Sequence, residues 1–95
     1  MDNEKLFYAL HYLKYDIDDL IDNVLNDSDE DPHYSAVTAT NLLKCYIQLL
    51  KNSGEQLPFN DSEEYFKHNG YTIQEYQLFE VKRKAESKNY IGKQF

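Results

Sequence analysis

Ninety-five residues carrying a formal charge of −7 fit one small domain with a modest core. That balance disfavours nonspecific binding to nucleic acid or to an anionic membrane, because both need a basic face. Three Gly and two Pro supply too few turns for an all-β fold, and a single cysteine, Cys45, excludes an internal disulfide.

The first element is the clearest. Leu6, Leu10, Leu13, Ile17, Leu20 and Val24 recur at spacings of 4, 3, 4, 3 and 4, and Ile21 and Leu25 widen the stripe. That period, unbroken by Gly or Pro, predicts a helix from Asn3 to about Asn26. The run Asp27-Ser28-Asp29-Glu30-Asp31-Pro32-His33 cannot pack and reads as a loop. Asp31 before Pro32 is a good helix start, a side-chain cap followed by a Pro at the first helical position. The second helix should run from Pro32 to Asn52, with Gly54 as its stop. Its apolar residues, from Ala36 to Leu50, cover more than half the circumference, so this helix is expected to be central and touched from two sides. Cys45 lies in that run and is expected to be buried.

Asp61-Ser62-Glu63-Glu64 has the form of a capping box and opens a short helix that ends at Asn69-Gly70. Thr72-Ile73-Gln74-Glu75 is a second capping box. The helix behind it should reach about Ser87, although a strand over residues 76–82 is an alternative, because the apolar residues there follow no single face. The expected fold is all-α: a small antiparallel bundle of two long helices, one short helix and a C-terminal helix. Residues 1–87 form one helical domain, and 88–95 are a loosely held tail. The expected core contains Leu10, Leu13, Ile17, Leu20, Leu42, Leu43, Tyr46, Leu49 and Leu50. The opening residues, Met1-Asp2-Asn3-Glu4-Lys5, resemble no signal peptide, and no apolar run approaches the roughly 18 residues of a membrane span. A cytoplasmic protein without membrane contact is the expectation.

Motifs for chemistry are missing. Asp27-x-Asp29-x-Asp31 has the spacing of a calcium loop, but Pro32 stands where Gly is needed and Thr38 where a bidentate Glu is needed. His11, His33 and His68 have no second ligand at a metal spacing, Cys45 has no neighbouring base, and no Gly-rich phosphate loop exists. The expectation is no enzyme, no cofactor and no metal.

The informative pattern is on the other face of the first helix. Tyr8, Tyr12, Tyr15, Asp19 and Asp22 recur at spacings of 4, 3, 4 and 3, opposite the Leu/Ile stripe, with His11 and Asp18 beside them. Exposed helix faces ordinarily carry Glu, Lys, Gln and Ala, whereas Tyr is enriched in binding hot spots. Three readings follow: an interface for an external partner, packing against the last helix, or the seam of a homodimer. Charge is also unevenly distributed. Residues 1–31 hold ten acids against two Lys, −8, and residues 82–95 hold Lys82, Arg83, Lys84, Lys88 and Lys93 against Glu86, +4.

The reading these features favour is a non-enzymatic binding protein. Its Tyr/Asp face would dock on a basic surface of another protein and inhibit or redirect it, with acids substituting for phosphates if that surface binds nucleic acid. The alternative is a small dimeric DNA-binding regulator contacting phosphates through Lys82, Arg83, Lys84 and Lys88, with Asn69-Gly70 as the turn of a helix-turn-helix. In size and in Asn, Lys, Ile and Tyr usage the chain resembles small acidic cytosolic proteins encoded by phages and mobile elements of AT-rich bacteria.

Overall fold

The computed structural model describes residues 3–28, 30–54 and 56–85. The Leu/Ile stripe forms helix α1, Asn3–Leu25. It ends one residue before the expected Asn26. Asp27 takes the left-handed conformation at φ 55°, and the Ser28 N–H reaches back to the Asn23 carbonyl at 3.1 Å. This is a Schellman-type stop built on an Asp instead of the usual Gly, which is why composition did not mark it. The Lys82 ammonium holds the stop from outside, donating to the Val24 carbonyl at 2.7 Å and pairing with the Asp27 carboxylate.

Helix α2 runs Pro32–Asn52, as its cap residues predict, with the Asp31 carboxylate accepting from the Tyr34 N–H. Helix α3 spans Ser62–His68 and α4 spans Ile73–Lys84. In α4 the capping box is complete. In α3 it is rearranged: Asp61 accepts from the Glu64 N–H, but the Glu64 carboxylate accepts from Asn60 instead of Asp61. Gly70, at φ +87°, closes α3, and the Tyr71 N–H returns to the Phe66 carbonyl at 3.0 Å. Residues 76–82 are helical and not strand, and α4 stops at Lys84, short of Ser87, because Ala85 is extended.

The fold is the expected all-α bundle. α1 and α2 lie side by side and antiparallel, and this is the most extensive pairing; α4 packs on both, mainly on α2. α2 is therefore the central helix. α3 is wedged near Tyr46 of α2, where Tyr65 meets that ring edge-on at 6.4 Å. The buried core comprises Ile17, Ile21 and Val24 of α1, Ala36, Ala39, Leu43, Tyr46 and Ile47 of α2, and Phe59, Tyr65, Phe66 and Phe79 beyond. Phe66 is the hub of the aromatic group, with Tyr71, Tyr76 and Phe79 centred 4.9–5.2 Å from it. Burying each large apolar side chain contributes roughly 1.5–3 kcal/mol before the cost of ordering it.

Of the expected core, Ile17, Leu43 and Tyr46 are buried, and Leu10, Leu13, Leu20, Leu42 and Leu50 are half-buried against it. Leu49 is a correction: it is 43% exposed. Cys45 is another, with its thiol side exposed. Both lie on the part of the wide α2 arc that no other helix covers. Tail residues 88–95 fall outside the described residues. No helix among those described is long and apolar enough to cross a membrane.

Candidate functional site

α1 is turned so that its Leu/Ile stripe meets α2 and α4, which leaves the opposite face to water. The three tyrosines of that face are exposed: Tyr8 52%, Tyr12 65% and Tyr15 66%. They pack against no other helix of the chain, which removes the core reading for them. His11 is exposed beside them and meets the Tyr12 ring edge-on at 5.7 Å. Asp19 is exposed on the same face.

The two remaining carboxylates are engaged within the molecule. Asp18 is half-buried and accepts two hydrogen bonds of 2.6 Å, from the Lys14 ammonium and from the Tyr65 hydroxyl. Lys14 also donates to the Asn69 side chain at 3.1 Å and lies 5.6 Å from the centre of the Tyr65 ring. Asp22 accepts from the Tyr71 hydroxyl at 2.6 Å, with its carboxylate still at the surface. These contacts tie the second half of α1 to α3 and to the turn after it. Burial, then the hydrogen bond to Asp18, raises the pKa of Tyr65 far above that of an ordinary phenol, and burial followed by the bond to Asp22 does the same for Tyr71. Burial and the adjacent Glu80 push Tyr76 up to about 12. Burial, with a smaller contribution from Asp18, also raises Tyr46. Asp18 thus has a structural role in addition to its place beside the Tyr face.

The basic cluster is largely consumed by the fold. Lys82 is mostly buried and serves the end of α1. Arg83 forks onto Glu80 with a contact of 3.0 Å from its terminal nitrogen, and that pairing lowers the Glu80 pKa. Lys84 is exposed. Lys88 lies outside the described residues.

One member of the exposed aromatic surface escapes the spacing argument. Phe7 is 67% exposed and meets the Tyr8 ring edge-on at 5.8 Å. A Phe at the edge of an apolar stripe reads as core. Its signal lay in being one residue off the Leu6–Leu10 line, a rotation of about 100° on the helix. Among the described residues, no group of three or more His, Cys, Asp or Glu side chains is placed to hold a metal ion. Compared with known proteins, the chain matches no family model, and no curated sequence or solved structure is similar enough to establish a relationship.

Proposed function

We propose that the protein is a non-enzymatic binding protein whose α1 face docks on a basic surface of another protein and inhibits or redirects it. The observation that carries this reading is the exposure of Phe7, Tyr8, Tyr12 and Tyr15 over three turns of one helix. Large aromatic side chains held in water gain free energy only when a partner covers them, and a phenol offers both contact area and a polar tip. Asp16 and Asp19, exposed on the following turns, supply the charge that steers a basic partner. Where that partner normally holds nucleic acid, the carboxylates take the place of phosphates.

The pairing of Lys82 with Asp27 and of Arg83 with Glu80 weighs against the DNA-binding alternative, because a cation already neutralised releases fewer counterions on meeting a phosphate. A homodimer through the Tyr face would also bring two acidic helices together.

Quantitative affinity capture from the native host tests the proposal, comparing the natural chain with a Tyr12→Ala/Tyr15→Ala variant. The expected result is a basic protein retained by the first, released by salt and lost with the second. Equal capture by both chains would remove the Tyr face from the interface. Retention of the chain on duplex DNA at physiological salt would put the regulator reading first, and a monomer produced from a dimer by the same variant would make the face a seam.

A further inference from the structure

Leu6, Leu10 and Lys14 follow one another at four-residue intervals along α1, and Tyr46, Leu50 and Ser53 face them from α2. With Phe7 and His11 as the outer lip, they line an open groove of about 550 Å³ between the two long helices. At 1.5 Å per residue the α1 wall is about 12 Å long, a little over two helical turns.

The same trough continues toward the C-terminal half of α1, and there a helix already occupies it. α3 sits against Tyr46 through Tyr65, reaches Asp18 through the Tyr65 hydroxyl and accepts from Lys14 through Asn69. Lys14 and Tyr46 therefore belong to both halves: they touch α3, and they also line the open groove. Rows of side chains four apart on facing helices are ridges that accept a further helix. The chain supplies α3 for one half and no described element for the other.

We infer that the open half of this trough receives one helical segment of a partner protein, presenting apolar side chains one turn apart with Lys or Arg beside them. The inference rests on the proposed docking of α1 on a basic protein and names the anchor that such a partner would use. The apolar requirement comes from Leu6, Leu10, Phe7 and Leu50. The basic requirement comes from the charge around them: the single cation of the walls, Lys14, is already matched by Asp18, and the α2 wall of Tyr46, Leu50 and Ser53 is uncharged. The surrounding helix belongs to the −8 segment. A second copy would bring its own acidic α1 against this field, so a basic helix from another protein is the complementary occupant.

The test is a selection from a library of random peptides of roughly 16 residues, about four helical turns, on the immobilised full-length chain. It is followed by chemical-shift mapping with the selected peptide. The expected peptides carry apolar residues at i and i+4, or at i, i+3 and i+7, with Lys or Arg alongside. Their shifts should centre on Leu6, Leu10 and Leu50. Phe7→Lys, at an exposed position that the fold does not need, should weaken binding about tenfold or more, and Ser53→Trp, which fills the groove, should do the same. Tyr12→Ala/Tyr15→Ala should leave peptide affinity within about twofold, because neither ring lines the groove. Failure to select any peptide with a Kd below about 100 µM, shifts confined to another face, or full affinity in both groove variants would overturn the inference. If host-protein capture still depends on Tyr12 and Tyr15 in that event, the docking proposal survives and only the groove falls.

Discussion

The two halves of α1 carry one apolar pattern and meet different fates. From Ile17 onward the stripe is sealed: Ile17, Ile21 and Val24 have essentially no exposed surface, Asp18 and Asp22 hold tyrosine hydroxyls, and Lys82 closes the end. Before Lys14 the stripe is only half covered, with Leu6, Leu10 and Leu13 partly buried and Phe7, Tyr8 and Tyr12 in water. The difference comes from elements far away in the chain. α3 and the turn after it lie against the second half, and Lys14 with Asn69 marks the edge of their cover. The comparison teaches that a single amphipathic helix can serve as scaffold at one end and as working surface at the other. The half that packs holds the other half rigid in its exposed position, which lowers the ordering cost of binding.

The sharpest way to break this comparison is to truncate apolar side chains in each half. Ile17→Ala should cost about 2–5 kcal/mol, and Phe66→Ala, at the centre of the aromatic group, about 3–5 kcal/mol, both read from urea unfolding. Leu6→Ala should cost less than about 1.5 kcal/mol, since part of its surface is never removed from water. Equal losses for Leu6 and Ile17 would mean that the first half is as well packed as the second.

A smaller effect tests the polar ties. Tyr65→Phe removes the hydroxyl that Asp18 accepts from and leaves the ring in place, so stability should fall by about 1–3 kcal/mol. Asp18 keeps Lys14 as a partner, which sets the ceiling. A change near zero would show that α3 is held by packing alone.

Alkaline pH should loosen the second half first. Tyr76 is held up to about 12 in the folded chain against 10.0 for a free phenol, and Tyr65 and Tyr71 are raised further. The unfolded chain then releases protons that the folded chain keeps. The stabilisation from these groups is complete below pH 10.0 and is lost as pH climbs through the folded value, about 12 for Tyr76. Chemical denaturation across that range should show falling stability in the natural chain and a shallower fall in Tyr71→Phe. A slope unchanged by that substitution would uncouple Tyr71 from folding.

The smallest expected effect is on the exposed rings. Tyr12→Ala or Tyr15→Ala should move folding stability by no more than about 0.5 kcal/mol, measured by thermal melting. A larger drop would return the Tyr face to the core.

Much of the architecture was legible because its signals are local. Asp31-Pro32, Thr72 to Glu75 and Asn69-Gly70 each satisfy backbone groups within a few residues, so helix starts and stops could be read from spelling alone. The misreadings share the opposite character. Leu49 and Cys45 were placed inside because the α2 arc is wide, yet which part of a wide arc is covered depends on where the neighbouring helices lie. Phe7 was counted as ordinary apolar content for the same reason. Among the candidate site residues, Tyr8, His11, Tyr12, Tyr15 and Asp19 are together on one exposed face, as their spacing implies. The tie of Asp18 to a tyrosine 47 residues away could not be read from any spacing.

The sequence by itself determined the helical class, the caps, the two opposed faces of α1 and the uneven charge, because each follows from periodicity or from neighbours within one turn. Only the tertiary structure decided that α3 fills half of the trough between α1 and α2 and leaves the rest open. It also decided that Lys82 and Arg83 are internal partners instead of free cations, and that Phe7 is exposed. Those outcomes depend on which surfaces meet when the chain closes, and burial is a property of the meeting surfaces and not of any single segment.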